Sequence, residues 1–112
     1  MSIVICLVTA PSRESAVALA KGVVEKRLAA CVNIVPGVES VYRWEGSMVM
    51  DEEALMVIKS SEERVAALRE EIFKQHPYSV PEFVVFSPKD VSPAYAEWIL
   101  GSLTTDALSL EG

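Results

Sequence analysis

The segment Val41–Lys59, VYRWEGSMVMDEEALMVIK, constrains this chain more than any other stretch. It reads as two strands meeting at Glu45-Gly46-Ser47. Alternation places Tyr42 and Trp44 on one face of the first arm, and Met48 and Met50 together on one face of the second. Each arm reaches past the usual strand length of ~5–6 residues. At 112 residues the chain amounts to a single domain, so a hairpin this long projects beyond its own body. Projecting apolar strands need a partner, and the segment therefore bears on assembly before it bears on chemistry.

Composition points the same way. Hydrophobic residues make up 51% of the chain and the mean hydropathy is +0.30, more than so small an interior absorbs, which points to a subunit interface. A formal charge of −6 argues against a nucleic-acid partner, which calls for a basic patch. No stretch approaches the ~20 apolar residues of a membrane span. The start, MSIVICLVTA, lacks a basic leader and reads as a first strand rather than a signal peptide, so the expected location is the cytoplasm. Cys6 and Cys31 both lie in apolar strand-like runs and read as reduced thiols rather than a disulfide.

The order of elements follows from periodicity and punctuation. Ile3–Thr9 is a buried strand; Ser12 is an N-cap for a helix carrying Ala16, Leu19, Ala20, Val23 and Leu28 at helical spacing. A second strand begins at Ala30, is bent by a bulge at Pro36-Gly37, and continues through Trp44. Ala54–Lys59 is strand, with Asp51-Glu52-Glu53 as its exposed or irregular entry. Ser60 and Glu63 have capping-box spacing ahead of a helix that buries Val65, Leu68 and Ile72, with Arg64 on the wet side, and that ends at His76-Pro77. Pro81–Ser87 is the last strand; Ser92-Pro93 starts a short helix through Tyr95, Trp98 and Ile99, closed by Gly101. Leu103, Leu108 and Leu110 are docking positions on a tail from Ser102 with no readable register.

This β-α-β-β-α-β order predicts an α+β, ferredoxin-like domain over residues 1–112, with a long hairpin between the second and third strands and a short C-terminal helix. Both main helices pack on one face of the sheet. The other face is left for copies of the same subunit.

Ala29-Ala-Cys-Val-Asn-Ile34, Tyr42-Arg-Trp-Glu-Gly46, the Asp51–Lys59 arm, His76-Pro-Tyr78, Pro81-Glu82 and Tyr95-Ala-Glu-Trp-Ile99 together resemble the divalent-cation tolerance proteins, the CutA family. The resemblance implies a homotrimer held by its hairpins, similar in subunit fold to the PII signalling proteins. Two positions depart from the family pattern: Ser79 stands where a carboxylate is common, and Val91 where a glycine is usual.

The family name implies metal binding, with copper or another divalent ion bound rather than an obligatory cofactor. Cys31 offers a soft sulfur donor and His76 an imidazole. Met48 and Met50 have a spacing that suits monovalent copper, but packing at a trimer contact is the stronger reading. The chain holds one histidine and no Cys-x-x-Cys pair, so one subunit offers no closed site. Tyr42, Trp44, Lys59, Tyr78, Glu82 and Trp98 supply the walls and charges of a ligand cleft, although Tyr42 and Trp44 also suit interface anchoring. Lys59 and Glu82 are a candidate ion pair, and Asp51, Glu52 and Glu53 a solvated acidic edge. No nucleophile elbow or phosphate loop supports catalysis. The expected protein is non-enzymatic and metal-binding; the alternative is a PII-like module that binds a small ligand between subunits and acts on a partner protein.

Overall fold

The chain runs β1 (Ile3–Ala10), α1 (Arg13–Glu25), β2 (Cys31–Trp44), β3 (Ser47–Ser61), a single 3-10 turn (Glu62–Arg64), α2 (Val65–Gln75), β4 (Val84–Phe86) and α3 (Pro93–Leu103). This computed structural model describes residues 2–104, and the anticipated docking of Leu108 and Leu110 falls outside them. The sheet is antiparallel throughout, in the order β2-β3-β1-β4, which is the ferredoxin-like arrangement.

Strand alternation sorts the sheet into two faces. Val4, Cys6, Val8 and Ala10 of β1 face the helices together with Ala54, Met56 and Ile58 of β3. Ala16, Leu19, Ala20 and Val23 of α1 and Leu68 and Ile72 of α2 close that core. Ile5, Leu7, Leu55 and Val57 lie on the opposite face and are half-buried, while Val35, Val84 and Phe86 beside them stand 45–49% exposed. The third helix covers one end of this open face, where Ile99 and Leu103 pack with Ala30 and Ile3.

The two hairpin strands are 14 and 15 residues long and turn through Glu45 (φ 48) and Gly46 (φ 83). Two positive φ values in a two-residue loop give the mirror-image turn that matches strand twist. The arm makes the molecule 53 Å long, and the radius of gyration of 15.2 Å exceeds the roughly 13 Å of a compact chain near this length.

Several local expectations are corrected. The capping box does not form: the Ser60 hydroxyl donates to the Leu28 carbonyl at 2.7 Å, and neither Ser61 nor Arg64 caps a helix with its side chain. Arg64 is not on the wet side but half-buried, donating to the Leu103 carbonyl. The fourth strand is only Val84–Phe86, because Pro81 lacks an N–H and Phe83 turns edge-on to Phe73, ring centroids 5.9 Å apart. Asp51-Glu52-Glu53 is regular strand within β3. Gly101 does not end the last helix, which continues to Leu103 because Arg27 and Arg64 satisfy the carbonyls of Ser102 and Leu103.

That last correction is testable. A Cβ at Gly101 meets nothing within 4 Å, so Gly101→Ala is expected to stabilise the fold by about 0.5–1 kcal/mol. At Gly37, held at φ +72, alanine is expected to cost about 1–2 kcal/mol. Urea unfolding midpoints read both, and a destabilising Gly101→Ala returns that glycine to a terminating role.

Candidate functional site

The site begins with one extra residue. Val35 pairs with Leu55, but the next matched pair is Val38 with Glu53, so β2 carries a bulge at Pro36-Gly37. Ahead of it Val32 and Ile34 pack toward the helices. Past it the even positions change sides, and Ser40, Tyr42 and Trp44 share the open face with Asp51 and Glu53. Met48 and Met50 point the other way and are 78% and 67% exposed.

The second wall comes from the segment after α2. His76 ends that helix in extended geometry ahead of Pro77 and is buried. Its Nε2–H donates to the Thr9 carbonyl at 2.7 Å, and its Nδ1 accepts the Tyr78 N–H at 3.1 Å. This clasp carries Tyr78 over the hairpin base, where its hydroxyl donates to Glu53 Oε2 at 2.8 Å. The Tyr42 hydroxyl donates to Asp51 Oδ2 in the same way. Thr9, Ser40, Tyr42, Trp44, Asp51, Glu53, Tyr78 and the loop through Glu82 enclose a cleft of about 560 Å³.

Its electrostatics are one-sided. Asp51, Glu53 and Glu82 are the charged residues of the lining. Burial, followed by the bond to Glu53, pushes the Tyr78 phenol well above the ordinary tyrosine range. The Tyr42 phenol is raised chiefly by its bond to Asp51. Loss of water, with the Glu53 charge behind it, raises the Glu82 carboxyl. A raised carboxyl binds its proton more tightly in the folded state, so its ionised form weakens the fold at neutral pH and is relieved as pH falls.

Of the residues singled out from sequence, the structure gathers Tyr42, Trp44, Tyr78 and Glu82 into this cleft. Lys59, Trp98 and Cys31 lie elsewhere. Lys59 pairs with Cys31 across the β2–β3 ladder and donates to the Asn33 side chain, so the anticipated Lys59–Glu82 pair does not form. Six residues separate Lys59 from Glu53, about 20 Å along the strand. Trp98 stacks on Tyr95, centroids 5.6 Å apart, and burial raises the Tyr95 phenol, with the Cys31 thiol beside it adding to the shift. Both cysteines are free; burial pushes the Cys6 thiol up to about 11, while Cys31 is half-buried. Both ring nitrogens of His76 are engaged, and no three His, Cys, Asp or Glu side chains gather into a group suited to a metal ion among the described residues.

Asp51 and Glu53 are the members that sequence reasoning set aside. The acidic run is not a uniformly solvated edge: Glu52 is exposed, but Glu53 is 9% exposed. The spacing of Asp51 and Glu53, two apart like Tyr42 and Trp44, was the available signal. Ser79 lines the cleft, whereas Val91 lies outside it.

The class is an α+β domain with a four-stranded antiparallel sheet, three helices and a projecting hairpin. The family model described as CutA1 divalent ion tolerance protein matches residues 4–102. The divalent-cation tolerance protein CutA of Thermus thermophilus is 44% identical over 95 residues, 85% of this chain and 92% of that protein. The chloroplastic protein CutA of Arabidopsis thaliana is 42% identical over 99 residues, and the chain spans 54% of its length. The crystal structure of CutA1 from Oryza sativa superposes with a TM-score of 0.90 at 40% identity, covering 94% of this chain and 96% of that one. The chain belongs to the CutA1 divalent ion tolerance family.

Two outcomes follow for the site. Tyr78→Phe strips the nearly buried Glu53 carboxylate of a donor and is expected to cost about 1–3 kcal/mol in urea unfolding. Glu82→Gln is expected to raise the melting temperature at pH 7 and leave it unchanged at low pH, where the native carboxyl is already protonated. An equal gain at both pH values assigns the effect to packing instead.

Proposed function

We propose that this protein is a non-enzymatic homotrimer of the cytoplasm that binds divalent cations, copper among them, and so contributes to metal tolerance. Membership of the CutA1 family supports the metal reading. The observation that carries the assembly is the open sheet face: Leu7, Leu55, Val57, Val84 and Phe86 form an apolar surface that the subunit's own helices do not cover. Burying such a face against two further copies, with the hairpin arms as clasps, removes that apolar surface from water. Among the described residues no helix is long and apolar enough to cross a membrane, and the charge of −6 disfavours a nucleic-acid partner.

For the metal, Cys31 and His76 are the proposed donors. Cys31 lies at the start of the edge strand β2, half-buried, where donors from a neighbouring copy complete a coordination sphere. His76 ligates only by giving up one of its two hydrogen bonds, to Thr9 or from Tyr78.

A second reading is favoured by the cleft itself. Aromatic walls, a few polar groups and a volume of about 560 Å³ suit a small ligand, as in a PII-like module that reports to a partner protein.

Light scattering is expected to give about three times the 12.2 kDa chain mass, and a monomer removes the assembly on which both readings depend. In copper titrations Cys31→Ser is expected to weaken binding by about tenfold or more. Copper affinity untouched by both Cys31→Ser and His76→Ala places the metal elsewhere.

A further inference from the structure

We propose that the groove between α1 and α2 is a docking surface for the chain's own tail, residues 105–112 (TDALSLEG), which seats Leu108 and Leu110 there. The match to the family model ends at residue 102, so the tail lies beyond the part of the chain that the family model covers.

The groove lies on the side that assembly leaves outward. The helices cover one face of the sheet, and the neighbouring copies belong to the other. Ala18, Leu19, Gly22 and Val23 of α1 line the groove together with Glu71 and Pro77. Leu19 and Val23 are buried and form an apolar floor, while Ala18 and Pro77 are exposed at the rim. A Cβ at Gly22 meets nothing within 4 Å, so α1 faces open space at that point. The groove holds about 280 Å³, below the ~300–1,000 Å³ of small-molecule sites and better suited to one or two side chains.

Reach follows from where α3 ends. Arg27, just past α1, donates to the Ser102 carbonyl at 3.0 Å, and Arg64, just ahead of α2, donates to the Leu103 carbonyl. Thr104 therefore leaves the fold where α1 finishes and α2 starts. Counted along α2 from Arg64, the groove begins about 10 Å away at Glu71 and reaches Gln75 at about 17 Å. An extended chain advances about 3.3 Å per residue, which carries Leu108 about 13 Å and Leu110 about 20 Å beyond Thr104. The two leucines are spaced so that an extended segment turns both to one side.

Charge selects this occupant over a second copy. The tail carries Asp106 and Glu111 and no basic residue. Asp106 comes within about 7 Å of Thr104, beside Arg27 and Arg64. At the groove, Lys26 Nζ lies 2.7 Å and Lys74 Nζ 3.8 Å from Glu71, and the bond from Lys26 holds the Glu71 carboxyl below the usual carboxylate range. Two lysines against one glutamate leave that rim net positive. An acidic segment is attracted to it, whereas a symmetric contact with a second copy sets like rims against each other.

The test is methyl NMR of the full chain. Nuclear Overhauser contacts from Leu108 or Leu110 to the methyls of Ala18 or Val23 are expected. Leu108→Ser combined with Leu110→Ser is expected to abolish them, shift the groove methyl resonances and lower the melting temperature by about 4–8 °C. Asp106→Lys is expected to weaken the same contacts while leaving both leucines in place. Groove methyls that the double serine variant leaves unmoved overturn the inference, as do contacts from the tail leucines to Leu7 or Leu55 on the open face. Groove methyls that shift with protein concentration and not with the tail assign the groove to a second copy and also overturn it.

Discussion

A single inserted residue at Pro36-Gly37 decides what this molecule presents to its surroundings. Because strand side chains alternate, one extra residue exchanges the two faces of everything beyond it. The second strand therefore serves the core with Val32 and Ile34 and then serves the cleft with Tyr42 and Trp44. Sequence chemistry supports the break at that point. Proline gives up an N–H where the ladder is already interrupted, and glycine adopts φ +72, which a side chain resists. The bulge lies on an edge strand, so the irregularity disturbs only one neighbour.

The cleft then depends on a relay of hydrogen bonds that joins three otherwise separate parts. Thr9 of the central strand holds His76, His76 holds the backbone of Tyr78, and Tyr78 holds Glu53. Every link is near-ideal in length, and the imidazole uses both nitrogens. Such a network makes the loop geometry a property of the core rather than of the loop. The end of the molecule near the third helix is treated less generously. There the Ser61 hydroxyl and the Arg64 Nε are buried with no hydrogen-bond partner among the described residues.

The fold was legible because it is written in short-range patterns. Strand alternation in Ile3–Thr9, the helical spacing of Ala16, Leu19, Ala20 and Val23, and Pro36-Gly37 as a bulge each correspond to an observed feature. The site was half legible. Aromatic residues at Tyr42, Trp44 and Tyr78 and the carboxylate of Glu82 drew notice as unusual for their surroundings, and the fold brings them together. Glu53 escaped because three successive acids look solvated, and only the pairing of Val38 with Glu53 and the fold-back of Tyr78 bury one of them. Ser60 misled for a related reason. Its spacing to Glu63 is local, but its hydroxyl bonds a carbonyl 32 positions away. Lys59 and Trp98 were grouped with Tyr42, Trp44, Tyr78 and Glu82 by residue type, and within one subunit strand register sets Lys59, and the third helix sets Trp98, apart from those four.

The third helix is fastened at one end only. Its start has no side-chain cap, whereas its carbonyl end is gripped by guanidinium groups from Arg27 and Arg64. An uncapped start leaves the first turn the less secured end of such a helix. Tyr95 sits in that first turn, and it is the residue that shelters the Cys31 thiol. A half-buried sulfur in contact with that turn is therefore tied to the integrity of the helix start as well as to its own strand.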